Sequence, residues 1–412
     1  MKIALYTETY PPFINGVATH ASLLAEGLRR LGHEVLVVTA DPAVPKHVVK
    51  NGVLRCPAAV SKKIYGYGLP NPYSRDRFRI VRDFDPDVIH VHTEFATGLS
   101  GLSAARRLHK PLVYTMHTMY DDYVYYIAPK PFIGVGTKIL RAYIWRFARF
   151  ASALTGPSFK VQEYMAELGV PTPVHVIHNC AELDAFKPEN ITAEAKHAFR
   201  EKYGIADDAF VCVFVGRLGK EKSADVLLDY WAKSIRPEDN CRLVIAGDGP
   251  AHAELVEQAK HLGLLDGPAP VIFTGRVEHA DMPPVLAACD LYVTASLSDT
   301  NSISMLEGMA TGLPTLQRRD PLIAEQITEG VNGWIFDSAE DLGREVRNVQ
   351  AMSPEERAAL SASVIETARG RGCTRLAGDL LEVYGSVEGD YCRKHWKYPS
   401  GKLIPAKPLS RK

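Results

Sequence analysis

Two carboxylates, Asp299 and Glu307, bracket the start of an expected helix in the stretch DLYVTASLSDTNSISMLEGMATGLPTL, residues 290–316. The run Leu291 to Ala295 is apolar and reads as a buried parallel strand. A polar turn follows from Ser296 to Ser302, then a helix from near Ser302 that Gly312-Leu313-Pro314 would stop. The first N–H groups of a helix have no carbonyl partner, so those of Ser302, Ile303 and Ser304 are expected to form an anion site. Carboxylates accept hydrogen bonds from sugar hydroxyls. An anion-binding helix start between two carboxylates therefore suits a phosphorylated sugar. Upstream, the loop GRLGKEK carries Arg217 and Lys222, five residues apart after the apolar run Phe210–Val215. Two cations on one loop can meet a diphosphate from two directions and neutralise a leaving group.

The elements that must hold these residues alternate. Strands are expected at Lys2–Thr7, Glu34–Thr39, Asp87–His92, Pro111–Met116, Ala153–Ser158 and Pro173–His178, with helices at Ala18–Leu31 and Gly98–Leu108. The pattern repeats in the second half: strands Phe210–Val215, Cys241–Ala246 and Val271–Phe273, and helices Ser223–Ile235, His252–Leu262 and Met282–Ala288. Helices Ala339–Gln350, Pro354–Thr367 and Cys373–Gly385 follow. Such alternation predicts parallel, doubly wound sheets, which bind ligands at the carboxyl ends of their strands. His117 falls at one such end, where a histidine can also be purely structural. Gly16 precedes the first helix, and its missing Cβ would let a phosphate approach the backbone. No G-x-G-x-x-G run is present there, which weakens a nicotinamide oxidoreductase reading.

The 412 residues suffice for two or three domains, and 46% hydrophobic with 23% charged residues is ordinary for a globular protein. Formal net charge is zero but uneven: residues 1–180 hold 21 Lys+Arg against 13 Asp+Glu. A basic N-terminal half suits an anionic membrane or a phosphorylated partner. Seven scattered cysteines without a C-x-x-C pair suggest a reduced, cytoplasmic setting without structural zinc. No apolar run reaches the roughly 18 residues of a membrane span, so any membrane contact is expected to be peripheral. A helical reading of Val135–Phe150 puts Lys138, Arg141, Arg146 and Arg149, with Trp145 among them, within roughly 140° of arc. Ile139, Leu140, Tyr143, Ile144, Phe147 and Phe150 take the opposite side. This is either an anionic-lipid surface or a solvated helix face. The tail Tyr391–Lys412 has seven Lys/Arg and no acid, as a disordered segment or a second lipid contact would.

SDTNSISMLEGMATGLP resembles the E-x7-E region of the retaining family 4 glycosyltransferases with the GT-B fold. GRLGKEK resembles that family's GRL-x-x-EK motif, and YTMHTMYDDYVYYI resembles a segment of its bacterial diacylglycerol glucosyltransferases. Asp299 replaces the usual first glutamate, and Ser302 a glycine. The resemblance implies two Rossmann-like α/β domains facing each other across a cleft. Its boundaries would be an acceptor-side domain at 1–182, a nucleotide-sugar domain at 183–375, and 376–412 crossing back near Gly385–Lys397.

It also implies roles. Glu307 would hold ribose hydroxyls and Asp299 hexose hydroxyls. Gly216, Arg217, Lys222 and the backbone of Asn301, Ser302, Ile303 and Ser304 would hold the diphosphate. Val277 would lie against the base, while Gly16 and His117 would close the site from the first domain. The donor would be a nucleotide sugar, UDP-hexose above all, with no metal or other cofactor. The acceptor would be a membrane lipid such as diacylglycerol, or a soluble or carrier-linked saccharide. An inactive sugar-nucleotide-binding regulator is the alternative that the altered Asp299 and Ser302 suggest.

Overall fold

Continuous apolar runs bounded by turns build two separate parallel sheets. The computed structural model describes residues 1–13, 15–60, 68–123, 130–266, 270–320 and 326–389. One compact unit holds Met1–Asn179 and the described part of Cys373–Lys412, and the other holds Cys180–Gly372. The expected divisions, after 182 and at 376, lie within three residues of these.

In the first unit the strands are β1 (Lys2–Thr7), β2 (Glu34–Asp41), β3 (Val48–Lys50), β4 (Val53–Val60), β5 (Gly68–Pro70), β6 (Val88–Val91), β7 (Leu112–Thr115), β8 (Ala153–Gly156) and β9 (Val174–Val176). Their order is β3-β4-β2-β1-β6-β7-β8-β9, with β5 also on β4. Only β3 and β5 run antiparallel. Beyond Lys2, every residue of β1 is buried, as expected for a strand covered on both faces. The covering helix Gly16–Arg30 starts at Asn15, whose side chain accepts from the N–H of Ala18 at 2.8 Å. Against it packs the helix Cys373–Ser386. A Cβ on Gly27 would come 2.1 Å from the carbonyl oxygen of Cys373, so only glycine admits this crossing. The segment that returns to the first unit is therefore Cys373–Ser386, earlier than the expected Gly385–Lys397. Residues from 390 onward, including the basic tail, lie outside the described residues.

The second unit contains β10 (Phe210–Val215), β11 (Cys241–Ala246), β12 (Val271–Gly275), β13 (Leu291–Thr294), β14 (Thr315–Arg318) and β15 (Gly333–Phe336). All are parallel, in the order β12-β11-β10-β13-β14-β15. The period-two geometry of a strand splits β10 between two cores. Phe210, Cys212 and Phe214 pack with Trp231 and Leu243 on one face, and Val211, Val213 and Val215 with Val244 and Met309 on the other.

Candidate active site

In the second unit β10 lies between β11 and β13, so the strand order reverses there and a crevice opens beyond the carboxyl ends. Gly216 and Arg217 follow β10 directly. Gly247, after β11, has φ +153°, and a Cβ there would sit 1.9 Å from the carbonyl oxygen of Gly216. Glycine thus lets the two strand-end loops touch. Gly247 also donates its N–H to the carbonyl of Gly275 at 3.0 Å, tying in the loop after β12.

Sequence reasoning offered Arg217 and Lys222 as cations facing a phosphate. The structure supplies each with a carboxylate. Arg217 pairs with Glu221, whose side chain is wholly buried, and Lys222 pairs with Asp299. Glu221 was missed, although its place one turn on from Arg217 could have suggested it. The pairs fix both cations before any ligand arrives, and an ammonium with three donors can share itself between Asp299 and a phosphate.

The helix Ile303–Ala310 is capped by Ser302, whose hydroxyl accepts from the N–H of Met305 at 3.3 Å. Its end is a Schellman turn: Gly312, at φ +90°, donates to Met309, and Leu313 donates to Gly308. One expectation fails here. The N–H of Ser302 donates to Gln326 Oε1 at 3.0 Å, and the Gln326 amide returns a bond to the Ser302 carbonyl at 2.9 Å. Of the three N–H groups expected to meet an anion, that leaves those of Ile303 and Ser304. Gln326 is 24 residues downstream, and nothing in the local pattern signals it. Asn301 is buried beside the cap. The hydroxyl of Ser304 bonds to Tyr292 and to the carbonyl of Val215.

Glu307 is buried, and one oxygen lies 2.8 Å from Nε2 of His279. The Glu307 carboxylate raises the pKa of His279 above its ordinary value. His279 is another residue that sequence reasoning passed over; it stands two places after Val277. Val277 is half-buried against the core, whereas Arg276 is exposed and paired with Glu278.

In the first unit the reversal falls at β1, between β2 and β6. Gly16 begins the helix beyond it, and among the described residues, its chain neighbours and its own helix's backbone aside, no atom stands within 4 Å of where its Cβ would be. His117, just past β7, meets His20 and His92. His92 Nδ1 lies 3.1 Å from His117 Nε2, and the His20 and His117 rings are 4.5 Å apart. His20 Nδ1 is held by Asn179 at 2.9 Å. Burial drives the His20 pKa down to about 4 and holds His90, His92 and His117 well below the usual range. These rings are neutral near pH 7. One ring nitrogen from each of His20, His92 and His117 lies within 4.8 Å of the others, a set that could hold a metal ion. Beside them, buried Glu94 accepts from Tyr114 and Tyr120, and burial lifts its pKa to about 7.

Two Asp-x-Asp triplets overlap at Asp83, Asp85 and Asp87. They lie at the amino end of β6, away from the ligand edge, with Asp85 on Lys110 and Asp87 accepting from the N–H of Lys2. A cavity of about 700 Å³ lined by Asp87, Leu108, Lys110 and Glu388 shares that amino end.

The expected basic helix forms as Ile133–Ala148, but its faces differ from expectation. Arg141 leaves the surface to pair with Asp121 at 2.7 Å and to lie over Tyr164. Ile139 leaves the core side and is 67% exposed, beside Phe132 at 59% and Val135 at 57%. Lys138 and Arg146 stay exposed, while Arg149 stacks on Trp145 at 4.4 Å. The end of the YTMHTMYDDYVYYI segment falls outside the described residues. Among those described, no helix is long and apolar enough to cross a membrane.

A family model described as Glycosyltransferase Family 4 matches residues 14–185, and one described as Glycosyl transferases group 1 matches residues 195–367. Alpha-monoglucosyldiacylglycerol synthase of Streptococcus pneumoniae is 30% identical over 359 residues, covering 86% of this chain and 79% of that protein. The protein of the same name from Acholeplasma laidlawii is 30% identical over 370 residues, covering 86% and 89%. The crystal structure of Anabaena Alr3699/HepE in complex with UDP-glucose shares the fold, with a TM-score of 0.71 at 20% identity over 94% of this chain and 100% of that one.

Proposed function

The chain belongs to the family 4 glycosyltransferases of GT-B fold, and from that premise we propose that it moves a hexose from a UDP-sugar, glucose first among candidates, to a membrane lipid of the diacylglycerol class. The observation that carries this reading is the charge arrangement at the carboxyl edge of the second unit. Arg217 and Lys222, each held by a carboxylate, and the start of helix Ile303–Ala310 gather hydrogen-bond donors for an anion there, with Glu307 on the same helix. Cleaving a sugar from UDP leaves a nucleoside diphosphate, and fixed positive charge lowers the cost of that departure.

In this mechanism Arg217 and Lys222 take the diphosphate oxygens, helped by the N–H groups of Ile303 and Ser304 and the dipole behind them. Gly216 leaves room at the backbone. Glu307, braced by His279, accepts from the ribose hydroxyls, and Val277 flanks the base. Asp299 accepts from the hexose, and for His117 and Gly16 we keep the roles that the resemblance implies, His117 against the donor sugar and Gly16 beside a phosphate. The acceptor hydroxyl attacks on the face that the diphosphate leaves, so the configuration is retained, and a phosphate oxygen takes the proton. With the leaving charge met by side chains and a helix dipole, transfer proceeds in chelator.

The lipid acceptor is supported by the names of the two relatives and by the exposed surface of helix Ile133–Ala148. Phe132, Val135 and Ile139 stand beside Lys138 and Arg146, an apolar and basic mixture suited to an anionic bilayer. Labelled UDP-glucose, UDP-galactose and GDP-mannose are each incubated with vesicles of anionic lipid and diacylglycerol, and the lipid phase is analysed. Labelled glucosyldiacylglycerol from UDP-glucose supports the reading. Label found only in water-soluble saccharide moves the acceptor to that class, and UDP binding without turnover of any donor makes the chain a regulator.

A further inference from the structure

Histidine side chains seldom gather in a core unless each finds a partner, because an unpaired buried nitrogen loses its hydrogen bonds to water. In the first unit His20 comes from the helix Gly16–Arg30, His92 from the loop after β6 and His117 from the loop after β7. His20 is 2% exposed and His92 is 1% exposed, and the Nε2 atom of His20 has no hydrogen-bond partner among the described residues. Asn179 occupies Nδ1 of His20 and fixes that ring, leaving Nε2 as the atom free to ligate. His92 Nδ1 and His117 Nε2 are 3.1 Å apart, whereas two nitrogens on one tetrahedral zinc stand about 3.3 Å apart for bonds of 2.0–2.1 Å. His117 is partly exposed and gives an ion its way in.

We propose that His20, His92 and His117 form a binding site for one zinc-type divalent cation, with Asn179 as the residue that orients His20, and that filling it slows sugar transfer by withdrawing His117 from the donor. Imidazole ligands favour zinc, cobalt, nickel and copper over magnesium and calcium. Three protein ligands leave a fourth position for water. The inhibitory half rests on the role proposed above for His117, and the binding half does not.

The test uses the full chain, stripped with chelator and titrated with Co²⁺ while the visible absorption of tetrahedral cobalt is followed, then with Zn²⁺ to displace it. One ion per chain is expected. His92→Ala should weaken binding at least 100-fold, and Asn179→Ala, which keeps all three ligands, about 10- to 100-fold, the usual effect of losing a residue that orients a ligand. Thermal melts of both variants report folding, and Asn179→Ala serves if His92→Ala does not fold. No one-to-one cobalt spectrum, or an affinity unchanged by the variants that fold, overturns the site. In the transfer assay Zn²⁺ should inhibit with the same midpoint as its binding, and less potently in Asn179→Ala. Full activity with the site saturated overturns the inhibitory half. A chain that binds cobalt as described but transfers no sugar from any donor keeps the site and loses the reading of His117.

Discussion

Lys222 and Asp299, 77 positions apart in the chain, form an ion pair at the carboxyl edge of one parallel sheet. Each is assigned its own substrate group, phosphate for Lys222 and hexose for Asp299, so the pair couples the two. Residues that share a network give non-additive effects. We expect Asp299→Asn to lower kcat by about 10-fold, and Lys222→Ala combined with it to be no worse than Lys222→Ala alone within about threefold. A double-mutant cycle on kcat measures this, and full multiplicativity would show that the two act separately.

Glu307 and His279 predict a pH dependence of donor binding. Because the carboxylate raises the His279 pKa above its ordinary 6.5, the charged pair is complete below 6.5 and is lost as pH rises through the raised value. UDP affinity, measured by calorimetry, should fall across that window, and Glu307→Gln should remove the slope. His279→Ala should raise KM for the donor about tenfold with little change in kcat, the pattern of a binding residue. A large fall in kcat at constant KM would contradict this.

Gly16 separates ligand approach from folding. Since no atom of the other described residues beyond its own helix lies within 4 Å of its absent Cβ, Gly16→Val should leave Tm nearly unchanged. Transfer should fall about tenfold or more if a phosphate needs that space. Thermal melts beside kcat/KM decide it; wild-type transfer would remove Gly16 from the site.

Glu94 gives a stability prediction. Its pKa is raised from 4.5 to about 7, so the folded chain holds a proton that the unfolded chain has released. Its contribution is therefore complete below pH 4.5 and declines as pH rises from 4.5 to 7. At about 1.4 kcal/mol per unit, the loss is at most about 3 to 4 kcal/mol. Glu94→Gln should gain stability relative to the parent over that window in denaturant titrations. A pH-independent difference would mean that Glu94 is ionised in the fold.

The strands that carry the site were legible because both faces are buried and their residues are apolar with little or no interruption, as in β10 throughout and β1 over Ile3–Tyr6. The missed strands lack that signature. β4 contains Pro57, which argues against a strand, and β14 reads Thr-Leu-Gln-Arg. Among site residues, those within a short motif were found: Arg217, Lys222, Asp299 and Glu307. His279 and Gln326 escaped because each acts through tertiary contact, whereas Glu221 lies inside GRLGKEK and was passed over beside its two cations. The histidine cluster joins positions 20, 92 and 117, which no spacing rule connects. For the helix Ile133–Ala148 the wheel found the basic arc, but Asp121 and Tyr164, which draw Arg141 inward, belong to other elements.

If Arg217 and Lys222 stabilise the departing diphosphate, removing either must slow transfer itself. The most direct test is kcat for Arg217→Ala and for Lys222→Ala, at saturating UDP-glucose and diacylglycerol, with folding verified by melting. A loss of about 10²-fold or more is expected for each, the scale of removing one charge-stabilising donor. Near-normal turnover in both variants would contradict it.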